Sequence, residues 1–183
     1  QGATVFGGTK TDQIYLNDLT LWSGEPMNPR MNPEAYKHLP AVREALKAEN
    51  YRAADSLVKK IQGKFSESYA PLGTMYIDFP EKNISQYYRE LDLNQAIAKV
   101  QYRADGNLIK RQYLVSHPDK VFAIHISSEQ KGALSFAIRM DSKLKFQVHS
   151  TTNHLHMQGT APVRADPNYV RKEGNPIMFL ADK

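Results

Sequence analysis

The chain has 183 residues, and its 24 Lys and Arg against 19 Asp and Glu leave a net charge of +5; this length favours one domain with its own core. Hydrophobic residues reach 41%, which excludes a wholly disordered protein, and no apolar run approaches the roughly 18 residues that a membrane-spanning helix needs. The basic residues are scattered rather than gathered on one stripe, which argues against nucleic-acid binding, and the lack of cysteine excludes disulfides and thiolate zinc sites.

The first predicted elements are two strands and the loop that follows them. Residues 3–6 (A-T-V-F) end at Gly7-Gly8, whose freedom at positive φ suits a tight turn, and residues 13–21 alternate as the partner strand. This strand delivers the only tryptophan, Trp22, to the turn-rich stretch S-G-E-P. Binding residues concentrate where a rigid strand breaks into a loop, but a large indole can also fill a core. Both interpretations of Trp22 stay open at this point.

Two helices are predicted next, as an insertion near residues 33–64. Asn32 is a plausible N-cap, Pro33 suits the first helical position, and Pro40 restarts the helix. The second helix is predicted from Tyr51 to Lys64. It places one set of apolar residues on a single face, as expected of an amphipathic helix laid on an apolar surface: Tyr51, Ala54, Leu57, Val58, Ile61 and Phe65.

From about Leu72 the hydrophobic period becomes two. A β-hairpin is predicted around Asp105-Gly106, the strongest turn signal in the chain, and at least five short strands follow residue 95. Short strands linked by hairpins predict a mainly β protein, an antiparallel β-sandwich with the two-helix insertion. We expect residues 1–183 to form a single sandwich domain, and because the last strand runs into Lys183 without a cap or polar tail, we expect the native chain to continue.

The motifs of common hydrolases and nucleotide-binding proteins do not occur. His154 and His156, with His149 nearby, have a spacing that can bind zinc or nickel if a third ligand is near, but no carboxylate has a matching position, so an exposed polar face is the favoured interpretation. We predict no metal and no cofactor. Six carboxylates occupy turns and strand ends, where local hydrogen bonding alone favours them: Asp78, Glu90, Asp92, Asp105, Asp119 and Asp141.

The tyrosines of the β region have two interpretations. They could form a flat platform on which sugar rings stack, or they could simply reflect the preference of strands for aromatic residues. The residues concerned are Tyr87, Tyr88, Tyr102 and Tyr113.

Several strings in order from Gly2 to about Ser142 resemble the N-terminal domain of glycoside hydrolase family 95, the family of α-L-fucosidases and α-L-galactosidases. They are G-A-T-V-F-G-G, I-Y-L-N-D-L-T-L-W-S-G-E-P, N-P-E-A-Y-K-H-L-P-A-V-R-E-A-L, S-Y-A-P-L-G-T-M-Y-I-D-F, Y-R-E-L-D-L-N-Q-A-I-A-K-V-Q-Y and S-H-P-D-K-V-F. The resemblance implies a large β-sandwich ahead of an (α/α)6 barrel, in an inverting enzyme that acts on terminal fucose. Because the family's sandwich is longer than this chain and no part of the chain resembles the barrel, the resemblance also implies that strands are missing at both ends and that the barrel is absent. In that family the catalytic residues belong to the barrel, so the resemblance assigns no catalytic residue to this chain.

The resemblance also implies partners and a location. The partner is the catalytic barrel of the same polypeptide, and fucosylated or related glycans are met through the full enzyme. Nucleic acid and membrane are not among the expected partners. A periplasmic or secreted location follows from the resemblance alone. The alternative function is a stand-alone carbohydrate-binding module, which would need a row of exposed aromatic residues on one sheet face.

The loop after the second strand is our candidate for the domain interface or the rim of the active site. The residues concerned are Asn17, Asp18, Trp22, Ser23 and Gly24. An indole at a strand exit offers a large apolar area and one N–H donor, which suits a partly hydrated contact. Where the family usually has L-N-E-D-T-L-W-S-G, this chain replaces one carboxylate by Leu19.

Overall fold

The computed structural model describes residues 2–26, 29–63, 66–80, 82–167, 169 and 174–180. These residues form twelve strands and two helices. In chain order the elements are β1 (Gly2–Val5), β2 (Thr11–Asn17), α1 (Ala35–Lys47), α2 (Tyr51–Val58), β3 (Gly73–Asp78), β4 (Ser85–Asp92), β5 (Ile97–Ala104), β6 (Asn107–Ser116), β7 (Val121–Ser128), β8 (Ala137–Asp141), β9 (Lys145–Ser150), β10 (Leu155–Thr160), β11 (Arg164–Ala165) and β12 (Ile177–Met178).

Two antiparallel four-stranded sheets make up the sandwich. Sheet 1 has the order β1-β2-β3-β8, and sheet 2 has the order β4-β5-β6-β7. The pairs β9–β10 and β11–β12 form two smaller antiparallel sheets. The predicted fold, a mainly β antiparallel sandwich with a two-helix insertion, is therefore confirmed. The predicted hairpin is also present, because β5 pairs with β6 across Asp105 and Gly106, which both have positive φ.

The core lies between the inner faces of the two sheets. Ile14 and Ile77 point inward from sheet 1. Sheet 2 contributes a larger set of buried side chains: Val100, Tyr102, Ala104, Ile109 and Tyr113. Because side chains alternate along a strand, the residues between the inward ones of β2 and β3 lie on the outer face of sheet 1.

A buried ion pair joins the two sheets inside the core. Asp12 of β2 and Arg111 of β6 are both fully buried, and Arg111 Nη1 lies 3.1 Å from Asp12 Oδ2. Asp12 also accepts hydrogen bonds from the Gly7 N–H at 2.8 Å and from the Tyr113 hydroxyl, while Arg111 Nη2 donates to the Gly8 carbonyl at 2.8 Å. Burial raises the pKa of Tyr113, so this hydroxyl keeps its proton and remains a donor.

The helical insertion differs in detail from the prediction. Asn32 does not cap α1, since its side-chain amide donates to the carbonyls of Lys60 and Gln62, both at 2.9 Å. α1 runs through Pro40 rather than restarting there, and the two helices contact each other with Val42 and Ala54 buried. Packing between helices therefore outweighs the single hydrogen bond that proline removes.

The second helix is shorter than predicted. α2 ends at Val58 rather than at Lys64, and Lys64 and Phe65 lie outside the described residues. Tyr51, expected on the apolar face, is exposed instead, whereas Ala54 of that face is buried. None of the helices in the described ranges is long and apolar enough to cross a membrane.

Candidate functional site

The loop that leaves β2 is closed by a compact turn at Asp18. The strand ends at Asn17, four residues before the predicted end, because the Leu21 N–H donates to the Asp18 carbonyl at 3.2 Å. The Asp18 carboxylate accepts from the Thr20 hydroxyl at 2.6 Å and from the Thr20 N–H at 2.9 Å. These two hydrogen bonds hold the pKa of Asp18 below its usual value, and the bond from the Thr20 hydroxyl has the larger effect. Asp18 therefore shapes the turn as an anion.

Trp22 stands beside this turn with its indole half exposed. Its relative exposure is 50%, and its ring contacts Tyr69 edge-to-face at 5.6 Å between centroids. The indole N–H donates to the Leu19 carbonyl at 3.0 Å, so the donor expected for a partly hydrated contact is already used within the loop. Leu19 itself is 78% exposed. We call Leu19, Trp22 and Tyr69 the Trp22 patch; it presents apolar and aromatic surface to solvent.

Ser23 and Gly24 hold the loop in place from below. Ser23 is buried; its hydroxyl donates to Glu67 Oε2 at 2.9 Å and accepts from the Ser68 N–H at 3.0 Å. Gly24 has φ of +116°, and a Cβ there would lie 2.6 Å from Glu67 Cγ. The Ser68 hydroxyl in turn donates to the Ala165 carbonyl at 2.8 Å. Three separate segments thus meet beneath the Trp22 patch and fix its position.

The five candidate residues therefore have different surroundings. Trp22 is half exposed, Ser23 is buried in the loop base, and Gly24 lies directly against Glu67. Asn17 lines two surface cavities, and Asp18 lines one of them. A contact of this group with another domain stays a prediction.

Asn17 connects the loop to a cavity on the outer face of sheet 1. The cavity has a volume of about 390 Å³ and lies over β2, β3 and the end of β8. Asn17 and Asp18 also border a second, smaller cavity of about 160 Å³ near Gly2 and Leu72. Ligand pockets commonly have volumes of ~300–1,000 Å³, so the larger cavity falls in that range and the smaller does not.

The pairing register of β2, β3 and β8 determines which side chains are neighbours on the floor of the larger cavity. Tyr15 of β2 lies opposite Thr74 of β3, which lies opposite Asp141 of β8. In the adjacent row Gln13 lies opposite Tyr76. Tyr15 and Tyr76 are therefore diagonal neighbours on one face. Polar and aromatic side chains dominate this face, whereas the inner face of the same strands is apolar apart from Asp12.

One corner of this face is a fixed ionic network. Arg139 Nε donates to Asp78 Oδ2 at 2.7 Å, and its guanidinium carbon lies 3.9 Å from the centroid of the Tyr76 ring. The Thr11 hydroxyl donates to the other Asp78 oxygen at 2.7 Å. The hydrogen bond from Arg139, followed by that from Thr11, lowers the pKa of Asp78. Arg139 thus covers one face of Tyr76, which leaves Tyr15 as the more open ring.

The six candidate carboxylates all have local partners. Asp78 binds Arg139; Glu90 and Asp92 both contact Lys99, at 3.0 and 3.3 Å. The remaining three accept hydrogen bonds from groups close to them: Asp105 from Asn83, Asp119 from Ser116 and Asp141 from the Ser142 N–H. This arrangement agrees with the structural interpretation of these residues, and the two that come together, Glu90 and Asp92, share the Lys99 ammonium as ion pairs.

The structure decides between the two interpretations of Tyr87, Tyr88, Tyr102 and Tyr113, which do not share one flat exposed platform. Tyr102 and Tyr113 are core residues, and the Tyr87 hydroxyl donates to the Gly7 carbonyl at 2.9 Å. Tyr87 and Tyr88 are both about half exposed, and Tyr88 lies on the outer face of sheet 2. Two tyrosines of sheet 1 that were not candidates from the sequence, Tyr15 and Tyr76, share its outer face. The alternating patterns T-D-Q-I-Y-L-N and G-T-M-Y-I-D place each tyrosine on one face of its own strand. Only the pairing of β2 with β3 shows that the two faces form one surface.

The histidines lie together on the β9–β10 hairpin. His149 is opposite His156, and the rings of His154 and His156 are 5.5 Å apart. Within the described ranges, no group of three or more His, Cys, Asp and Glu residues is arranged to hold a metal ion.

Comparison with known proteins gives one family match and two curated relatives. The model of "Glycosyl hydrolase family 65, N-terminal domain" matches residues 1–177. "Alpha-L-fucosidase 2" of Arabidopsis thaliana is 32% identical over 189 residues, which cover 99% of this chain and 22% of that protein. "Probable alpha-fucosidase A" of Aspergillus niger is 29% identical over 136 residues, 69% of this chain and 17% of that protein. The chain thus spans about a fifth of the length of these relatives.

Proposed function

Because this chain belongs to the family of glycosyl hydrolase family 65 N-terminal domains, we propose that it is the non-catalytic N-terminal β-sandwich domain of an α-L-fucosidase-like glycoside hydrolase. The observation that carries the proposal is the similarity of 99% of this chain to a protein named "Alpha-L-fucosidase 2", of which the chain spans only 22%. The finer assignment to family 95 rests on the ordered strings from Gly2 to about Ser142, which resemble that family.

In this proposal the domain packs on and supports a catalytic barrel in the same polypeptide. Fucosylated or related glycans are then substrates of the whole enzyme, in the periplasm or outside the cell. The locally bonded carboxylates favour a non-catalytic role, because a general acid and base must face a cleft where a substrate can reach them.

The Trp22 patch is the surface that we propose for contact with the barrel. Tryptophan and tyrosine are enriched at the centres of protein interfaces, where they bury much area at little cost in side-chain entropy. The loop beneath them is held by hydrogen bonds from Ser23 and Ser68, so the patch is presented in one conformation. Leu19 enlarges the apolar area at a position where the family usually has a carboxylate.

The proposal is tested by expressing the complete reading frame that contains this chain. We expect that polypeptide to release L-fucose from a fucosylated oligosaccharide, and the 183-residue chain alone to release none. Fucose release by the chain alone would overturn the non-catalytic assignment. Hydrolysis of another glycoside by the complete polypeptide, with no fucose released, would overturn the fucosidase-like assignment and leave the domain role intact.

The second candidate function, a stand-alone carbohydrate-binding module, is favoured by one observation. The outer face of sheet 1 offers an open tyrosine beside polar groups in a cavity of about 390 Å³.

A further inference from the structure

We propose that the cavity on the outer face of sheet 1 binds a neutral saccharide, with Tyr15 as the ring on which a pyranose stacks. This inference goes beyond the supporting role proposed above and does not depend on a catalytic barrel. Around Tyr15, the cavity is lined by Asn17, Thr74, Asp141 and Lys143.

The aromatic part of the site is open and held in position. Tyr15 is 42% exposed, so one part of its ring is available to a ligand. Phe6 contacts it edge-to-face at 5.0 Å between centroids, and Gln13 Nε2 donates to its hydroxyl at 3.3 Å. These contacts restrict the ring before any ligand arrives, which lowers the entropy cost of binding.

The polar part of the site has unused hydrogen-bonding capacity. Within the described part of the chain, the side chains of Asn17, Thr74 and Lys143 make no hydrogen bond or ion pair, although all three line the cavity. Asp141 uses Oδ1 for the Ser142 N–H at 2.8 Å, and its Oδ2 has no partner in the same ranges. An amide, a hydroxyl, an ammonium and a carboxylate oxygen together offer both donors and acceptors, as sugar hydroxyls require.

The charges select a neutral ligand. Asp141 and Lys143 supply one negative and one positive charge, and the nearby Arg139 and Asp78 neutralise each other at 2.7 Å. An anionic ligand such as a phosphate would meet the Asp141 carboxylate, and a cationic ligand would meet Lys143. A neutral, hydroxyl-rich ring with an apolar face satisfies the aromatic ring and the polar groups together.

The scaffold is suited to a preformed site. The walls come from β2, β3 and the end of β8, whose opposite faces carry core residues such as Ile14 and Ile77. Sites built on such paired strands are positioned more precisely than sites on loops. The Ser142 hydroxyl donates to the Leu72 carbonyl at 2.9 Å and accepts from the Leu144 N–H at 3.1 Å, which fixes the segment that carries Lys143.

The test is titration of the 183-residue chain with L-fucose, D-galactose and a neutral fucosylated trisaccharide, followed by saturation-transfer NMR and calorimetry. We expect saturable binding with a Kd of roughly millimolar for at least one sugar, and a loss of affinity of about tenfold in Tyr15→Ala. Tyr15→Phe keeps the ring and is expected to keep most of the affinity, and Asn17→Ala to lose several-fold.

Tyr88→Ala is the matched control, because Tyr88 is 51% exposed on the outer face of sheet 2; it is expected to bind like the parent chain. Circular dichroism and Tm check that each variant is folded, and Asn17→Ala tests the site if Tyr15→Ala does not fold. Absence of saturable binding up to about 20 mM for all three sugars overturns the inference. Equal losses in Tyr15→Ala and Tyr88→Ala overturn it as well.

The outcome is separable from that of the proposed function. If the complete polypeptide releases fucose while this chain binds no sugar, the saccharide site is wrong and the fucosidase-like assignment stands. If this chain binds sugar through Tyr15 and the complete polypeptide is not a glycosidase, the saccharide site stands and the enzyme assignment is wrong.

Discussion

Arg111→Met is expected to destabilise the fold strongly, because it leaves the Asp12 carboxylate buried without its countercharge. Both residues are fully buried, and Arg111 also lies over the rings of Phe79 and Tyr102, at 4.8 and 5.3 Å from their centroids. After the substitution, Asp12 keeps only the Gly7 N–H and the Tyr113 hydroxyl as donors. Methionine fills much of the same volume, so the charge is the main quantity changed.

The magnitude follows from the burial of the pair. Removing one partner of a buried ion pair costs about 3–5 kcal/mol, since the remaining charge has no compensation. For a domain of this size, that loss corresponds to a fall in Tm of roughly 6–20 °C. The double variant Asp12→Asn with Arg111→Met removes both charges; the new amide oxygen can accept from the Gly7 N–H, and the new NH2 group can donate to the Tyr113 hydroxyl oxygen. We expect it to be more stable than Arg111→Met alone, by at least ~1 kcal/mol.

Urea unfolding followed by circular dichroism and by Trp22 fluorescence measures these free energies. Arg139→Met is the matched control, because Arg139 pairs with Asp78 at the surface, where such pairs contribute only about 0–1 kcal/mol. The reasoning is refuted if Arg111→Met costs no more than Arg139→Met, or if the double variant is no more stable than Arg111→Met.

Three further predictions concern the loop and the surface. Gly24→Ala is expected to cost about 1–3 kcal/mol in urea unfolding, because φ is +116° and the new Cβ would lie 2.6 Å from Glu67 Cγ; a neutral effect would contradict it. The hydrogen bonds from Arg139 and Thr11 lower the pKa of folded Asp78, so their contribution is present above the unfolded pKa of about 4 and is lost as pH falls through the lower folded pKa. The difference in urea midpoint between the parent chain and Asp78→Asn should therefore shrink from pH 6 to pH 2, and a constant difference would count against this assignment. In the complete polypeptide, backbone amides of residues 19–24 and 67–70 should exchange hydrogen more slowly than in this chain alone, with residues 85–92 unchanged; equal exchange of 19–24 in both would exclude the Trp22 patch as an interface.

The features that could be predicted from the sequence are those with local causes. The hairpin at Asp105-Gly106 depends on two adjacent residues that adopt positive φ, and the alternation of β2 needs only the strand itself. The mainly β class and the helical insertion follow from the same kind of short-range pattern. Short-range patterns of this kind are therefore sufficient to predict the fold class.

The features that could not be predicted depend on pairing between distant segments. Asp12 and Arg111 are separated by 99 positions, so nothing near either residue shows that the other neutralises it. β2 and β3 pair across the whole helical insertion, which is why Tyr15 and Tyr76 were not recognised as neighbours. The burial of Tyr102 and Tyr113 could not be predicted either, because the alternation within a strand does not show which of its faces meets the other sheet.

β2 links the core, the cavity and the loop in a single strand. Asp12, Ile14 and Leu16 point into the sandwich, while Tyr15 and Asn17 face the cavity. A shift of one residue in the pairing of β2 would exchange the two sets, burying Tyr15 and moving the Asp12 carboxylate to the outer face. The buried ion pair opposes such a shift, because Asp12 reaches Arg111 in one register only. The same interaction that stabilises the core thus fixes which side chains the cavity presents.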